Sequence, residues 1–136
     1  MIRKYYNMTQ CRDPLEIYRE ALASIPVPTE ERPPAIERAE VWPYPELARL
    51  WVRVETGPFA AFPNLELVIL DPAGQPVSQM FMVEIRQPYQ SLTMHLRQPP
   101  RPGERYRLEI TLSRNEETLD TRTVEFEMVF REPEGK

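Results

Sequence analysis

Four side chains in this sequence are the best able to do acid–base, nucleophilic or metal chemistry. They are the single cysteine, Cys11, the single histidine, His95, and two carboxylates, Glu125 and Glu127. The two glutamates lie two residues apart, so on a strand they share one face, as the paired acids of a glycosidase can. Period-two alternation places carboxylates in this way on any solvated strand, and no acid-rich or serine-rich motif surrounds His95. The pattern therefore predicts a protein that is not an enzyme, with no catalytic residues.

The presence of one cysteine and one histidine in the sequence also disfavours metal and redox chemistry. One cysteine cannot form an internal disulfide, and one cysteine with one histidine cannot supply the four ligands of a structural zinc site. We therefore predict no metal and no cofactor. The first eight residues carry two positive charges with no apolar run behind them, which predicts neither a secretory signal nor a membrane helix. The expected location is cytoplasmic, without a membrane partner.

Charge and composition narrow the class of partner. The net charge of -4 argues against nucleic acid, because such binding depends on a clustered basic face that neutralises phosphates. The basic residues are 15 Arg and 2 Lys, and the chain contains 16 Pro. This bias indicates either a GC-rich genome or adaptation to heat, because loop prolines lower the entropy of the unfolded chain. We expect a thermostable domain.

The N-terminal part, residues 1–34, differs in kind from the rest. Asp13 is a good N-cap and Pro14 suits the first helical position, so a short helix is predicted over residues 14–24. An apolar stripe follows at helical spacing, formed by Leu15, Tyr18, Leu22 and Ile25. The stripe either caps the domain behind it or docks on another protein. A proline-rich stretch then predicts an extended, stiff linker up to Pro34.

Residues 35–130 read as about seven short segments of alternating apolar and polar residues, separated by Pro, Gly and Asn turn signals. This pattern predicts a mainly β protein, an antiparallel β-sandwich. The segments are Ala35–Trp42, Leu47–Glu55, Leu65–Leu70, Val77–Ile85, Leu92–Leu96, Tyr106–Leu112 and Leu119–Phe130. The first segment suits an edge strand, and the third a central one. The polar tail, residues 131–136, is expected to fray.

Two stretches resemble immunoglobulin-like and fibronectin type III-like domains. Residues 102–110, Pro-Gly-Glu-Arg-Tyr-Arg-Leu-Glu-Ile, are similar to the entry of the penultimate strand of those domains. The Asp-Pro-Ala-Gly turn at residues 71–74 looks like the hairpin turn of many bacterial members. The resemblance implies an immunoglobulin-like topology in which Tyr106 forms the corner at the strand start, and Trp51 could be the core tryptophan. It carries no functional residues, because this architecture hosts unrelated activities.

Binding is the function class that the residues favour. Aromatic side chains fall in predicted loops and on strand faces opposite the core, and exposed aromatics beside arginines are typical of interfaces. In segment four, alternation places Val77, Phe81 and Val83 inward and two methionines outward. The candidate binding residues are Trp42, Tyr44, Trp51, Phe59, Phe62, Met80 and Met82. We predict a non-catalytic module that binds a protein partner or itself, through an edge strand or the methionine face. The alternative is a small-ligand or carbohydrate-binding domain whose aromatics form a groove.

Overall fold

The computed structural model of the protein describes residues 14–17 and 33–133, and its strands occupy most of the second range. The strands are β1 Ile36–Pro43, β2 Arg49–Thr56, β3 Asn64–Leu70, β4 Pro76–Met82, β5 Tyr89–His95, β6 Arg105–Arg114 and β7 Glu117–Glu127. Residues 14–17 form one helical turn, whereas the rest of the predicted helix and Cys11 lie outside the described residues. Within these ranges, no helix is long and apolar enough to span a bilayer.

The strands form two antiparallel sheets. One sheet has three strands in the order β1-β2-β5, and the other has four in the order β4-β3-β6-β7. The prediction of a mainly β, seven-stranded sandwich is confirmed. Strand β1 lies at a sheet edge and β3 between two neighbours, as the alternation predicted.

The core lies between the two sheets and follows the period-two pattern. In β2, the side chains of Leu50, Val52 and Val54 are fully buried, and the residues between them are only partly covered. Strands β3 and β6 contribute their alternate residues in the same way, namely Leu65, Leu67, Ile69, Leu108, Ile110 and Leu112. Each sheet therefore has one dry face and one outer face, and any surface function depends on the outer faces.

The turn between β3 and β4 is built as its residues predicted. The Asp71 carboxylate accepts hydrogen bonds from the backbone N–H groups of Ala73 and Gln75, at 2.9 and 2.8 Å. Gly74 has a φ of 85°, a left-handed conformation that glycine adopts without steric cost. The Asp71 side chain thus stabilises the turn through hydrogen bonds to backbone groups two and four residues further on.

Tyr106 forms a hydrogen-bonded corner between the start of β6 and the loop before it. The phenol oxygen of Tyr106 accepts a hydrogen bond from the backbone N–H of Arg101 at 3.0 Å. The ring is 2% exposed and stacks against Phe126 with centroids 6.0 Å apart. The corner therefore attaches the loop before β6 to the core, because a buried phenol must find a hydrogen-bond partner.

Side chains of β7 hold the start of β1 against the opposite sheet. The Ile36 N–H donates to the Asp120 carboxylate at 2.8 Å, and the Arg122 guanidinium donates to the Ile36 carbonyl at 3.1 Å. Both backbone groups of Ile36 are thus satisfied across the gap between the two sheets. This pair of contacts connects the edge strands β1 and β7.

The predicted orientation of β4 is wrong. Met80 and Met82 pack against the core, whereas Phe81 and Val83 face solvent. The pairing of β3 with β4 skips Val77, a bulge that buries Val77 and Ser78 consecutively and reverses the alternation beyond them. One extra residue in a strand exchanges its two faces, and segment four carries apolar residues at both parities. The sequence pattern there could not reveal the reversal.

We predict that Tyr106→Phe lowers the free energy of unfolding by about 1 kcal/mol, because the Arg101 N–H loses its acceptor while the ring stays packed. Urea unfolding followed by circular dichroism measures the change. Tyr89→Phe is the matched control, since the Tyr89 side chain is exposed and its phenol oxygen is bonded to the Arg53 side chain at the protein surface. Equal losses in the two variants would contradict the role of the corner.

The reversal in β4 predicts an order of stabilities. Met80→Ala should cost about 2 kcal/mol of unfolding free energy, because it leaves a cavity beside the core. Phe81→Ala should change it by less than about 0.5 kcal/mol, since the ring is on the surface. Urea titrations at one low protein concentration compare the two. A larger loss of stability in Phe81→Ala than in Met80→Ala would contradict the observed orientation of β4 and support the one that the alternation predicts.

Candidate binding cleft

A tight hairpin between β1 and β2 builds one end of the three-stranded sheet. The Tyr44 N–H donates to the Arg49 carbonyl at 2.9 Å, and the Leu47 N–H donates to the Tyr44 carbonyl at 2.8 Å. Leu47 has a φ of 63°, an uncommon conformation for a residue with a β-carbon. Its side chain packs against the core, which compensates for that cost. The hairpin thereby holds Tyr44 at the end of the outer sheet face.

Strand pairing brings the two tryptophans of the chain together on this outer face. Trp42 of β1 is paired with Trp51 of β2, and Trp51 is paired with Thr93 of β5. Val41 and Leu50, one residue before each tryptophan, are buried. The rings therefore point away from the core, and Trp51 is not the core tryptophan that the immunoglobulin-like resemblance allowed.

The segment after β7 adds the other wall. Phe130 and Pro133 lie beside the tryptophans and close a cleft with a volume of about 270 Å³. We call it the aromatic cleft, and its lining is Trp42, Pro43, Tyr44, Pro45, Trp51, Phe130 and Pro133. The guanidinium of Arg131 lies 5.7 Å from the Trp42 ring centroid, a cation–π contact that ties this segment to β1. Of the predicted frayed tail, residues 131–133 are described, and they include this contact.

Hydrogen bonds hold two of the four aromatic side chains in place. The Trp51 indole donates to the Ser91 hydroxyl at 2.8 Å, and the hydroxyls of Tyr44 and Thr93 share a hydrogen bond at 3.3 Å. The indole nitrogen of Trp42 is buried without an acceptor among the described residues. A buried donor left unpaired costs about 1–3 kcal/mol, so an acceptor supplied at this position would be favourable.

Arginines cover the aromatic faces along the same sheet. Arg49 lies 4.2 Å from the Tyr44 ring centroid, and Arg53 lies 5.0 Å from that of Trp51. A side-chain hydrogen bond from Arg49 lowers the pKa of Glu46, at a distance of 2.6 Å. A hydrogen bond to the Tyr89 hydroxyl, helped by the Tyr89 and Glu40 charges, raises the pKa of Arg53. These hydrogen bonds orient the charged side chains of Arg49 and Arg53 over the rings of Tyr44 and Trp51.

The structure brings together three of the seven candidate binding residues, Trp42, Tyr44 and Trp51. The expectation that Phe59 binds a partner is wrong, because it is 7% exposed and belongs to the core. Phe62 is exposed, and it meets Phe59 edge-on with centroids 6.3 Å apart, in the β2–β3 loop at the opposite end of the sandwich. Met80 and Met82 are not outward-facing binding residues, because they pack on the core.

His95, Glu125 and Glu127 are not among the residues that line the cleft. His95 is exposed at the end of β5, as predicted. The Glu125 carboxylate lies 3.9 Å from Arg105, and Glu127 is paired with Arg105 across β6 and β7. Within residues 14–17 and 33–133, no group of three or more His, Cys, Asp or Glu side chains could hold a metal ion.

Sequence reasoning missed the contributions of Phe130, Arg131 and Pro133. Phe130 continues the alternation of Phe126 and Met128, which predicts an inward-facing ring, yet Phe130 is 47% exposed. The strand ends at Glu127, so alternation no longer governs the residues beyond it. The sequence signal that could have found this wall was an aromatic residue and a proline within a short polar tail.

Fold and cleft together define a two-sheet antiparallel β-sandwich domain with an aromatic cleft on its smaller sheet. No family model and no curated protein matches the chain. Among solved structures, the β-glucuronidase from Ruminococcus gnavus in complex with C6-substituted uronic isofagomine aligns with a TM-score of 0.52 at 14% identity. The alignment covers 70% of this chain and 16% of that chain. The apo structure of the same enzyme gives a TM-score of 0.49 at 15% identity, with the same coverage.

This likeness shows the fold alone. The chain spans 16% of the length of that enzyme, so the comparison concerns one part of a larger protein. A sandwich of this kind hosts many unrelated functions, and function must be argued from the site.

The wall formed by the C-terminal segment gives a prediction for Trp42. In a Trp51→Phe background, Trp42 is the one remaining tryptophan of the sequence. Adding Arg131→Ala to this background should increase the quenching of Trp42 fluorescence by acrylamide. The same change should lower the free energy of unfolding by at most about 1 kcal/mol, the usual size of an exposed cation–π contact. Arg86→Ala is the control, because Arg86 stacks on Phe62 at 4.5 Å. Equal quenching before and after Arg131→Ala would show that the segment does not cover Trp42.

Proposed function

We propose that this protein is a non-catalytic binding module with an immunoglobulin-like or fibronectin type III-like fold. Its aromatic cleft takes an extended, proline-rich segment of a protein partner. The observation that carries the proposal is the lining of the cleft, where four aromatic side chains and three prolines converge on one end of a sheet.

Two features support the immunoglobulin-like assignment. The strand orders β1-β2-β5 and β4-β3-β6-β7 correspond to a sandwich whose third, sixth and seventh strands share a sheet, as in such domains. The hydrogen bond from the Arg101 N–H to the Tyr106 hydroxyl has the form of the tyrosine corner at the entry to the penultimate strand. This architecture is widely used for recognition, which is compatible with a binding role.

The lining of the cleft favours a proline-rich occupant. Grooves walled by aromatic rings bind proline-rich segments in the polyproline II conformation, because such segments are already extended and lose little entropy on binding. A polyproline II backbone leaves its carbonyls unpaired, and the buried indole N–H of Trp42, which has no acceptor among the described residues, can donate to one of them once the ring turns toward the cleft. One hydrogen bond beside several ring contacts is the pattern that this mode requires.

Carbohydrate is the competing occupant, because sugars also stack on aromatic rings. A sugar needs several convergent polar groups that orient its hydroxyls. In the cleft, the Trp51 indole and the Tyr44 hydroxyl already have partners in Ser91 and Thr93. The supply of free polar groups therefore favours the peptide.

Tryptophan fluorescence provides the test, because both tryptophans of the chain line the cleft. We expect an oligoproline peptide to shift the emission in a saturable way, and a glycine–serine peptide of equal length to leave it unchanged. Tyr44→Ala and Trp51→Ala should each raise the dissociation constant at least about tenfold, equivalent to about 1.4 kcal/mol. The matched control is Phe62→Ala, which removes an exposed aromatic at the other end of the sandwich.

The same assay discriminates the alternatives. The competing outcome is saturable binding of a cello-oligosaccharide or chito-oligosaccharide, with binding lost in Trp51→Ala and no response to oligoproline. That result would show that the cleft binds carbohydrate and not peptide. Absence of both responses would contradict the cleft as a ligand site. Equal weakening by Phe62→Ala and Tyr44→Ala would place the binding surface elsewhere.

A further inference from the structure

Strand β4 presents a stretch of sheet edge with which no other strand of the described residues pairs. It is the outer strand of the four-stranded sheet, next to β3. Near its start, the Val77 carbonyl accepts a hydrogen bond from the Arg97 N–H at 2.8 Å. Past its end, Glu84 has a φ of 52° and its N–H donates to the Asn64 side chain at 2.9 Å. Among the described residues, no strand pairs with the outer edge of β4 between these two points.

The charge pattern of β4 differs from that of the edge strands β1 and β7. The stretch from Pro72 to Val83 contains no charged residue, in a chain that is 28% charged. Strands β1 and β7 carry several Glu, Asp and Arg side chains, which discourage pairing with another chain. The last edge, β5, is also uncharged apart from His95, but its outer side chains Tyr89 and Ser91 are bonded to β2. Strand β4 thus lacks the usual protection of an edge.

Exposed apolar side chains mark the same place. Val83 and Phe81 are 65% and 58% exposed, the largest fractions among the large hydrophobic residues of the described chain. Phe81 points to the outer face of the sheet, opposite Glu66 of β3. An uncharged edge strand with an exposed aromatic side chain provides both backbone hydrogen bonds and apolar area for an added strand.

We propose that the β4 edge pairs with the β4 edge of a second copy of this chain, antiparallel and with a two-fold axis at Met80. The proposal is independent of the aromatic cleft, which lies on the other sheet. In this register, Phe81 faces Gln79 of the partner subunit and Met82 faces Ser78 of the partner subunit. The four-stranded sheets of the two copies would join into one continuous sheet.

Self-complementarity is the reason to choose a second copy as the occupant. An antiparallel two-fold pairing is isologous, so each contact occurs twice and only one surface has to be suitable. Every residue from Ser78 to Met82 is uncharged and therefore meets an uncharged residue. A net charge of -4 on each copy would oppose association through a charged edge, but no like charges face each other here.

Sedimentation velocity over a wide concentration range tests the pairing. The unmodified chain should show a monomer–dimer equilibrium. Phe81→Glu should raise the dimer dissociation constant at least about tenfold, because it removes the apolar ring and places two carboxylates at diagonal positions across the axis. The double variant Gln79→Lys/Phe81→Glu should restore the dimer, since each new ammonium group then faces a new carboxylate of the partner subunit.

Controls separate pairing from folding and from nonspecific association. Thr121→Glu introduces the same charge at an exposed position of β7, the opposite edge of the same sheet, and should leave the dimer intact. Circular dichroism melting checks that each variant is folded. If Phe81→Glu does not fold, Phe81→Ser takes its place, because it removes the ring without adding a charge. A monomer at every concentration, a dimer unaffected by Phe81→Glu, or failure of the double variant to reassociate would overturn the proposal.

Discussion

The dry layer between the two sheets is the constraint on which the rest of this structure depends. Side chains alternate along a strand, so burying Leu50, Val52 and Val54 in β2 forces the residues between them outward. Trp51 is one of those residues, and its exposure is a consequence of the core and not of any preference of the indole ring. The residues on the outer surfaces are thus those that alternate with the core residues. Pairing between strands decides which of these outward residues become neighbours.

The aromatic cleft shows how neighbours are assembled from distant parts of the chain. Strand register sets Trp42 beside Trp51, the hairpin positions Tyr44, and the segment after β7 supplies Phe130. Local chemistry explains the hairpin, because its hydrogen bonds lie within six residues. The wall after β7 has no local cause, and it depends on the sandwich bringing the end of β7 next to β1.

Arginine side chains reconcile exposed aromatic rings with a protein surface in water. Arg49, Arg53 and Arg131 each lie near the centroid of an aromatic ring on the smaller sheet. Their aliphatic stems cover apolar area while their charged ends remain hydrated, and this lowers the tendency of such a surface to associate nonspecifically. A ligand of the cleft would add its own apolar surface beside these covers. Within residues 14–17 and 33–133, no arginine covers the Phe81 ring of β4, which distinguishes the two surfaces physically.

Alternation and turn chemistry are local, and they are sufficient to predict the seven strands, the buried faces of β2, β3 and β6, and the Asp71 turn. The corner at Tyr106 is implied only by the resemblance to immunoglobulin-like domains. The sequence also placed Trp42, Tyr44 and Trp51 among seven candidate binding residues, in loops or on strand faces opposite the core. Only the tertiary structure decided the orientation of β4, the burial of Phe59 and the place of Phe130. The bulge at Val77 exchanges two faces that are both apolar, and loop residues such as Phe59 and Phe130 have no period that predicts burial. Their surroundings depend on which strands meet across the sandwich, and contacts between distant segments decide that.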